Sequence, residues 1–145
     1  MFTHVLLPTD GSKLSEETIR KGMGLANSMN ARVTGLSVLP KLRFFNYESE
    51  IPAGIKDEAA RKCRETAETN LAFIRKAAEE AGVICQTVSE IDDQPYEAII
   101  RTAEKRGCDL IMMASHGRRG VKGVLLGSET QKVLTHTKIP VLVYR

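Results

Sequence analysis

The sequence predicts an α/β protein: a single domain on an open, mostly parallel five-stranded sheet with helices on both faces. Three observations carry this. Short apolar runs alternate with helical periods from one end of the chain to the other, the pattern of a parallel sheet with right-handed crossovers. Leu110-Ile111-Met112-Met113 is continuously apolar, as a strand covered on both faces should be. With 145 residues and 42% hydrophobic side chains, the chain can bury one core and is too short for two ordinary domains.

The elements follow in order. Thr3 to Leu7 reads as a buried strand that stops at Pro8-Thr9-Asp10-Gly11. Ser12 can cap the next helix, with Glu16 and Glu17 near the positive end of its dipole. Leu14, Leu25 and Met29, with Gly22 between them, give that helix an apolar face. Gly22-Met23-Gly24 lies well inside it and reads as close helix packing rather than a phosphate loop. Ala31 to Leu39 is the second strand, ended by Pro40. Lys41 to Gly54 has no clean period and holds Phe44, Phe45 and Tyr47, so it is a candidate lid or interaction loop. From Lys56 to Ala81, Ala59, Cys63, Ala67, Leu71, Ile74 and Ala78 recur at helical spacing along a charged helix, which Gly82 stops. Val83 to Val88 is the third strand. Pro95 opens a helix ending at Gly107. After the fourth strand, Leu110 to Met113, come a glycine-rich basic loop, a helix from Ser128 to His136 and a last strand from Ile139 to Tyr144.

Composition excludes several functions. Lys and Arg number 21 against 18 Asp and Glu, a net +3. That surplus is too small for a nucleic-acid or acidic-lipid surface. Cys63, Cys85 and Cys108 form no CxxC pair and read as small buried hydrophobes, not as a disulfide framework or zinc site. No apolar run approaches the roughly 18 residues of a membrane span. The N-terminus lacks the basic region and cleavage site of a signal peptide, so the expected compartment is the cytoplasm.

In an open parallel sheet, ligands bind beyond the carboxyl ends of the strands, where strand order reverses. Pro8-Thr9-Asp10-Gly11-Ser12 and Ala114 to Thr130 leave two such ends. Gly117, Gly120, Gly123 and Gly127 place four of the 11 glycines within the second segment. It leads into a helix N-terminus, where free N–H groups and the dipole favour phosphate. Ser128 and Thr130 add hydroxyls; Arg118, Arg119 and Lys122 add positive charge. The bland reading is a solvated surface connection, with Ser128-x-x-Gln131 a capping box. Neither a Walker loop nor the dinucleotide fingerprint is present. No set of nucleophile, base and orienting group is apparent. Asp10 reads equally as a ligand-facing carboxylate or a turn residue. His116 reads as a loop histidine with a local hydrogen bond, His4 as a packed strand residue and His136 as a helix C-terminal residue.

Over essentially its whole length the chain resembles the universal stress protein family. The resemblance rests on Val5-Leu6-Leu7-Pro8-Thr9-Asp10-Gly11-Ser12, on Ser115-His116-Gly117 with Gly127-Ser128, and on Ile139-Pro140-Val141-Leu142-Val143. The family's ATP-binding branch carries Gly-x2-Gly-x9-Gly-Ser/Thr. Here Gly117, nine residues and Gly127-Ser128 match, and Ala114 stands at the first glycine. The resemblance implies a Rossmann-like fold of strand order 3-2-1-4-5, similar to the adenine nucleotide alpha hydrolases. It implies that Pro8 and Asp10, with Thr9 between them, face the ribose and adenine, and that Val38 offers its backbone to the adenine edge. Ala114, Ser115, His116, Gly117, Arg118, Arg119 and Gly120 would wrap the triphosphate. Gly127, Ser128, Glu129 and Thr130 would hold phosphates through N–H groups and hydroxyls. The implied ligand is ATP, with AMP or another adenine nucleotide left open and magnesium travelling with the phosphates. The implied protein is a cytoplasmic stress-response regulator, homodimeric through residues 139–144, whose nucleotide-dependent surface is read by a protein partner, with at most weak ATP hydrolysis. The alternative, which Ala114 favours, is an interaction module of the same fold that binds no nucleotide.

Overall fold

A computed structural model describes residues 1–41, 52–117, 120 and 126–145. The candidate aromatics Phe44, Phe45 and Tyr47, and the candidate cations Arg118, Arg119 and Lys122, lie outside the described residues. The elements are β1 (His4–Thr9), α1 (Lys13–Met29), β2 (Arg32–Leu39), α2 (Ala53–Ala81), β3 (Cys85–Ile91), α3 (Pro95–Arg106), β4 (Leu110–Ala114), α4 (Ser128–His136) and β5 (Val141–Tyr144). The sheet runs β3-β2-β1-β4-β5 with every pair parallel, the order the resemblance implied.

Alternation along the strands sends side chains to two cores. Val5, Leu7, Val33 and Met112 pack against Ile19, Met23, Leu71 and Ile74 of α1 and α2. Leu6, Leu36, Ile111 and Met113 pack against Ile99, Ala103 and Val133 of α3 and α4. Both faces of the central strands are therefore buried, which is why they read as unbroken apolar runs. Two glycines permit close helix–sheet approach: a Cβ on Gly22 would meet Leu7 at 2.7 Å, and one on Gly35 would meet Ile74 at 2.6 Å. Gly22 is thus a packing residue, as its place inside a helix predicted.

Several boundaries and faces differ from the sequence reading for local reasons. β1 continues through Pro8 and Thr9 because its ladder with β2 runs to Thr9↔Ser37. β3 starts at Cys85 and extends to Ile91, since β2 reaches Leu39 and pairs with it to the end. α2 begins at Ala53 instead of Lys56, because the Pro52 carbonyl accepts the N–H groups of Ile55 and Lys56. β5 begins at Val141, after Pro140. The buried face of α1 is Ser15, Thr18, Ile19, Gly22, Met23 and Ala26, with Leu25 and Met29 only partly buried beside it. Ser12 caps α1 as expected, accepting the Ser15 N–H at 3.2 Å. All three cysteines are free, and burial pushes the Cys108 thiol up to about 11.

Asp109, just before β4, ties the chain's start to its centre. Its carboxylate accepts the N–H groups of Thr3 at 2.9 Å and His4 at 2.9 Å and the Thr3 hydroxyl at 3.0 Å. Burial alone would raise its pKa; the hydrogen bonds from His4 and Thr3 outweigh this and hold it below the usual carboxylate range. A depressed carboxylate contributes stability that is present above its unfolded pKa and lost as pH falls through the folded one. Asp109→Asn should therefore cost about 1 kcal/mol at neutral pH and flatten the acid limb of a stability–pH profile. Denaturant melts at a series of pH values measure both effects.

Candidate functional site

β1 and β4 pair only at Val5↔Leu110 and Leu6↔Ile111. Beyond those pairs the two strands part, and the chain leaves them on opposite faces, β1 into α1 and β4 toward α4. The crevice between their carboxyl ends is the switch point of the sheet. Pro8 sits where the strands have separated, beyond the last β1–β4 pair.

The β1 side of the crevice is a locked turn. Gly11 has φ +77°, a conformation that favours glycine. Its N–H donates to Thr9 Oγ1 at 3.0 Å, and Thr9 Oγ1 also meets Ser15 Oγ at 3.0 Å. Thr9 is buried, so its hydroxyl serves the turn. Asp10 is exposed, and its Oδ1 accepts the Ser12 N–H at 2.9 Å. The turn reading of Asp10 is the one its hydrogen bond shows, while its Oδ2 lies against Gly117 on the other side of the crevice. The β1–β2 ladder ends at Thr9↔Ser37 while β2 runs on to Leu39, so Val38 is half-exposed beyond the last β1 partner.

The β4 side is held by a chain of backbone bonds. The Ser115 N–H donates to the Tyr144 carbonyl at 2.7 Å, and the Gly127 N–H to the Ser115 carbonyl at 2.6 Å. Thr130 Oγ1 donates to the Ala114 carbonyl at 3.0 Å. Thr130 is buried, so its hydroxyl fastens α4 to β4 and is not presented to a ligand, a correction to its expected role. Ser115 Oγ lies 3.0 Å from His116 Nδ1, the local hydrogen bond expected of that histidine.

Three glycines of this segment are there for space rather than for unusual dihedrals. A Cβ on Gly117 would collide with Asp10 Oδ2, and one on Gly120 with the His116 ring. One on Gly127 would lie 3.0 Å from His116 Cα. Gly117 therefore lets the two sides of the crevice touch. Ala114 ends β4, paired with Tyr144, and its φ is not positive. The methyl at this position sits on ordinary strand backbone and imposes no strain.

The N-terminus of α4 is open. Gly127 is its N-cap and has no side chain to offer, so Ser128-x-x-Gln131 is not a capping box. Gln131 instead donates to the Leu126 carbonyl at 3.0 Å. The first-turn N–H groups of Ser128, Glu129 and Thr130 have no helical carbonyl to bond. Ser128 is exposed, and its hydroxyl bonds no other described residue. Glu129 could repel an anion here, but its carboxylate turns away to accept the Tyr96 N–H at 2.9 Å. It thereby caps α3, whose own N-cap, Gln94, makes no side-chain cap bond. Sequence reasoning missed this link because 33 residues separate the partners and no local pattern signals it.

Pro8, Asp10, Ala114, Ser115, His116, Gly117, Gly120, Gly127 and Ser128 are thus gathered around one crevice, with the first turn of α4 opening onto it. Arg118 and Arg119 lie outside the described residues. Among the described residues no group of three His, Cys, Asp or Glu side chains could hold a metal ion, and no helix is long and apolar enough to cross a membrane.

Comparison with known proteins agrees with this architecture. The model of the universal stress protein family matches residues 1–145. Universal stress protein MJ0531 of Methanocaldococcus jannaschii is 30% identical over 145 residues, spanning 100% of this chain and 83% of its own. The solved structure of MJ0577, from the same organism, superposes with a TM-score of 0.81 at 29% identity, covering 99% of this chain and 95% of that one. A universal stress protein from Archaeoglobus fulgidus, in complex with dAMP, has a TM-score of 0.63 at 18% identity, covering 100% and 98%. With the family model matched from end to end and the strand order in agreement, the chain belongs to the universal stress protein family.

Proposed function

We propose that this protein binds an adenine nucleotide, ATP in the first instance, and acts as a cytoplasmic stress-response regulator. The observation that carries the reading is the meeting of Asp10 and Gly117 across the switch-point crevice, beside the uncapped first turn of α4. Asp10 offers a carboxylate for ribose hydroxyls. Val38 offers backbone for an adenine edge. The N–H groups of Ser128, Glu129 and Thr130, with the Ser128 hydroxyl, offer donors for phosphate oxygens. The dAMP held by the Archaeoglobus fulgidus relative supports an adenine nucleotide as the ligand class. Magnesium would arrive with the nucleotide phosphates. Occupancy changes the surface around the crevice, which a protein partner reads. Ala114 sits on unstrained strand backbone, which is compatible with nucleotide binding.

Homodimerisation through the last strand is part of the proposal. β5 is an edge strand paired with β4 alone, and Leu142 on it is 38% exposed. An apolar edge of this kind seeks a partner, and a twofold copy of itself satisfies it. Val141 packs against the α3/α4 core, so Leu142 is the side chain free to meet its symmetry mate.

Four outcomes are expected. ATP at a hundredfold over its dissociation constant should stabilise the protein by about 2.7 kcal/mol, a rise of about 5–10 °C in Tm. Gly117→Val should remove most of that rise by driving Asp10 away. A melting curve unmoved by millimolar ATP and magnesium overturns the nucleotide reading. Ala114→Gly should leave nucleotide affinity unchanged in a titration and cost about 0.5–1 kcal/mol of stability. Leu142→Lys should convert a dimer to a monomer in light scattering coupled to size exclusion, by setting like charges across the twofold. A wild-type monomer at tens of micromolar would refute the dimer.

A further inference from the structure

At the end of the sheet opposite the crevice, the layer beneath α3 turns polar. His4, Arg32, Thr34 and Gln86 share the strand parity of Leu6, Leu36 and Val88, so they stand on the α3/α4 face in the register His4↔Arg32 and Thr34↔Gln86. Arg106, the last residue of α3, completes the corner. His4, Arg32, Gln86 and Arg106, with Val33 and Ile84, line a cleft of about 140 Å³. That is several times the roughly 30 Å³ a water occupies in the liquid.

The charges of this cleft do not balance. Among the described residues, neither Arg32 nor Arg106 forms an ion pair with a carboxylate. Arg106 Nη1 donates to the neutral Gln86 Oε1 at 3.3 Å. Asp109, the carboxylate that acts on His4, is already occupied by Thr3 and the His4 N–H. His4 is buried; its Nε2 lies 2.7 Å from Thr34 Oγ1, and its Nδ1 has no hydrogen-bond partner. Burial lowers the His4 pKa, and the charges of Arg32 and Arg106 lower it further, against Asp109, which raises it. The nearby Cys108 thiol is raised to about 11 by burial and stays neutral.

We propose that this cleft binds a tetrahedral oxyanion, either inorganic phosphate or the head of a phosphomonoester, between the guanidinium groups of Arg32 and Arg106, with the Gln86 amide as a further donor. Guanidinium forks match the oxygen geometry of such an anion, and two of them without a carboxylate leave a positive field for it to fill. Val33 and Ile84 complete the lining of the cleft. The site lies at the far end of the sheet from the crevice and stands independently of the nucleotide reading.

A bound anion also reverses the electrostatics at His4. Its negative charge offsets the two guanidinium groups and raises the imidazole pKa. Binding therefore takes up a proton, and affinity rises as pH falls through the range between the free and bound pKa values.

NMR titration of the imidazole resonances tests this in the intact protein. The chain has three histidines, and His4→Gln assigns His4 by loss of its signals. Sodium sulfate is the first probe because its charge does not change with pH; inorganic phosphate and a simple alkyl phosphate form two further arms. Sodium chloride at matched ionic strength is the control. A saturable rise in the His4 pKa with sulfate and not with chloride is expected. Arg106→Gln or Arg32→Gln should weaken it at least about tenfold, the worth of a charge-assisted contact, while Ser128→Ala leaves it unchanged. Tighter binding of the alkyl phosphate than of phosphate identifies a monoester as the ligand; the reverse identifies the free ion. A His4 response that follows ionic strength alone, or that survives both arginine substitutions, overturns the proposal. So does a sulfate response confined to His116.

Discussion

β1 and β4 pair over two residues and then separate, and the rest of the molecule is arranged around that separation. Asp109 holds the two strands together at their amino ends. Leu6 and Ile111 pass side by side through the core beneath α3 and α4. Beyond them α1 packs on one face and α4 on the other, and the two strands are no longer paired between Thr9 and Ala114. A strand inserted there would satisfy the backbone but remove the crevice. The fold instead lines the gap with a locked turn on one side and a fastened helix start on the other.

The two sides reach stability by different means. The turn from Thr9 to Ser15 is self-contained, built from short-range hydrogen bonds and one left-handed glycine. The helix start is held from outside: Thr130 binds the end of β4, the Gly127 N–H binds the Ser115 carbonyl, and Glu129 reaches across to α3. Holding α4 through side chains and carbonyls outside its first turn leaves the N–H groups of that turn open. A serine or aspartate N-cap would have consumed one of them. Gly127 stabilises the helix less and keeps those donors available.

The amino and carboxyl ends of the sheet thus have contrasting chemistry. The carboxyl end presents backbone donors and one carboxylate. The amino end presents two guanidinium groups and a buried imidazole, with Asp109 already bound to the chain start. The polar positions His4, Arg32, Thr34 and Gln86 continue the alternation of apolar ones in the same strands. The sheet therefore changes chemistry along its length without changing its geometry.

Much of this was legible in the sequence. The alternation of periods determined the fold class, since strands buried on both faces and amphipathic helices leave few other arrangements. Gly82 and Gly107 marked helix ends, and Ser12 its cap, because those are local preferences of single residues. The spacing from Gly117 to Ser128 located the candidate site by resemblance. Tertiary structure decided the rest. That Gly117 is needed for contact with Asp10, that Thr130 serves β4, and that Glu129 caps α3 are facts about residues 107, 16 and 33 positions apart in the chain. No local pattern encodes such pairings, because they arise only when the fold brings β1, α3, β4 and α4 together. The extra residues of β1 and β3 have the same origin: a strand ends where its neighbour stops offering hydrogen bonds, and the neighbour is chosen by the fold.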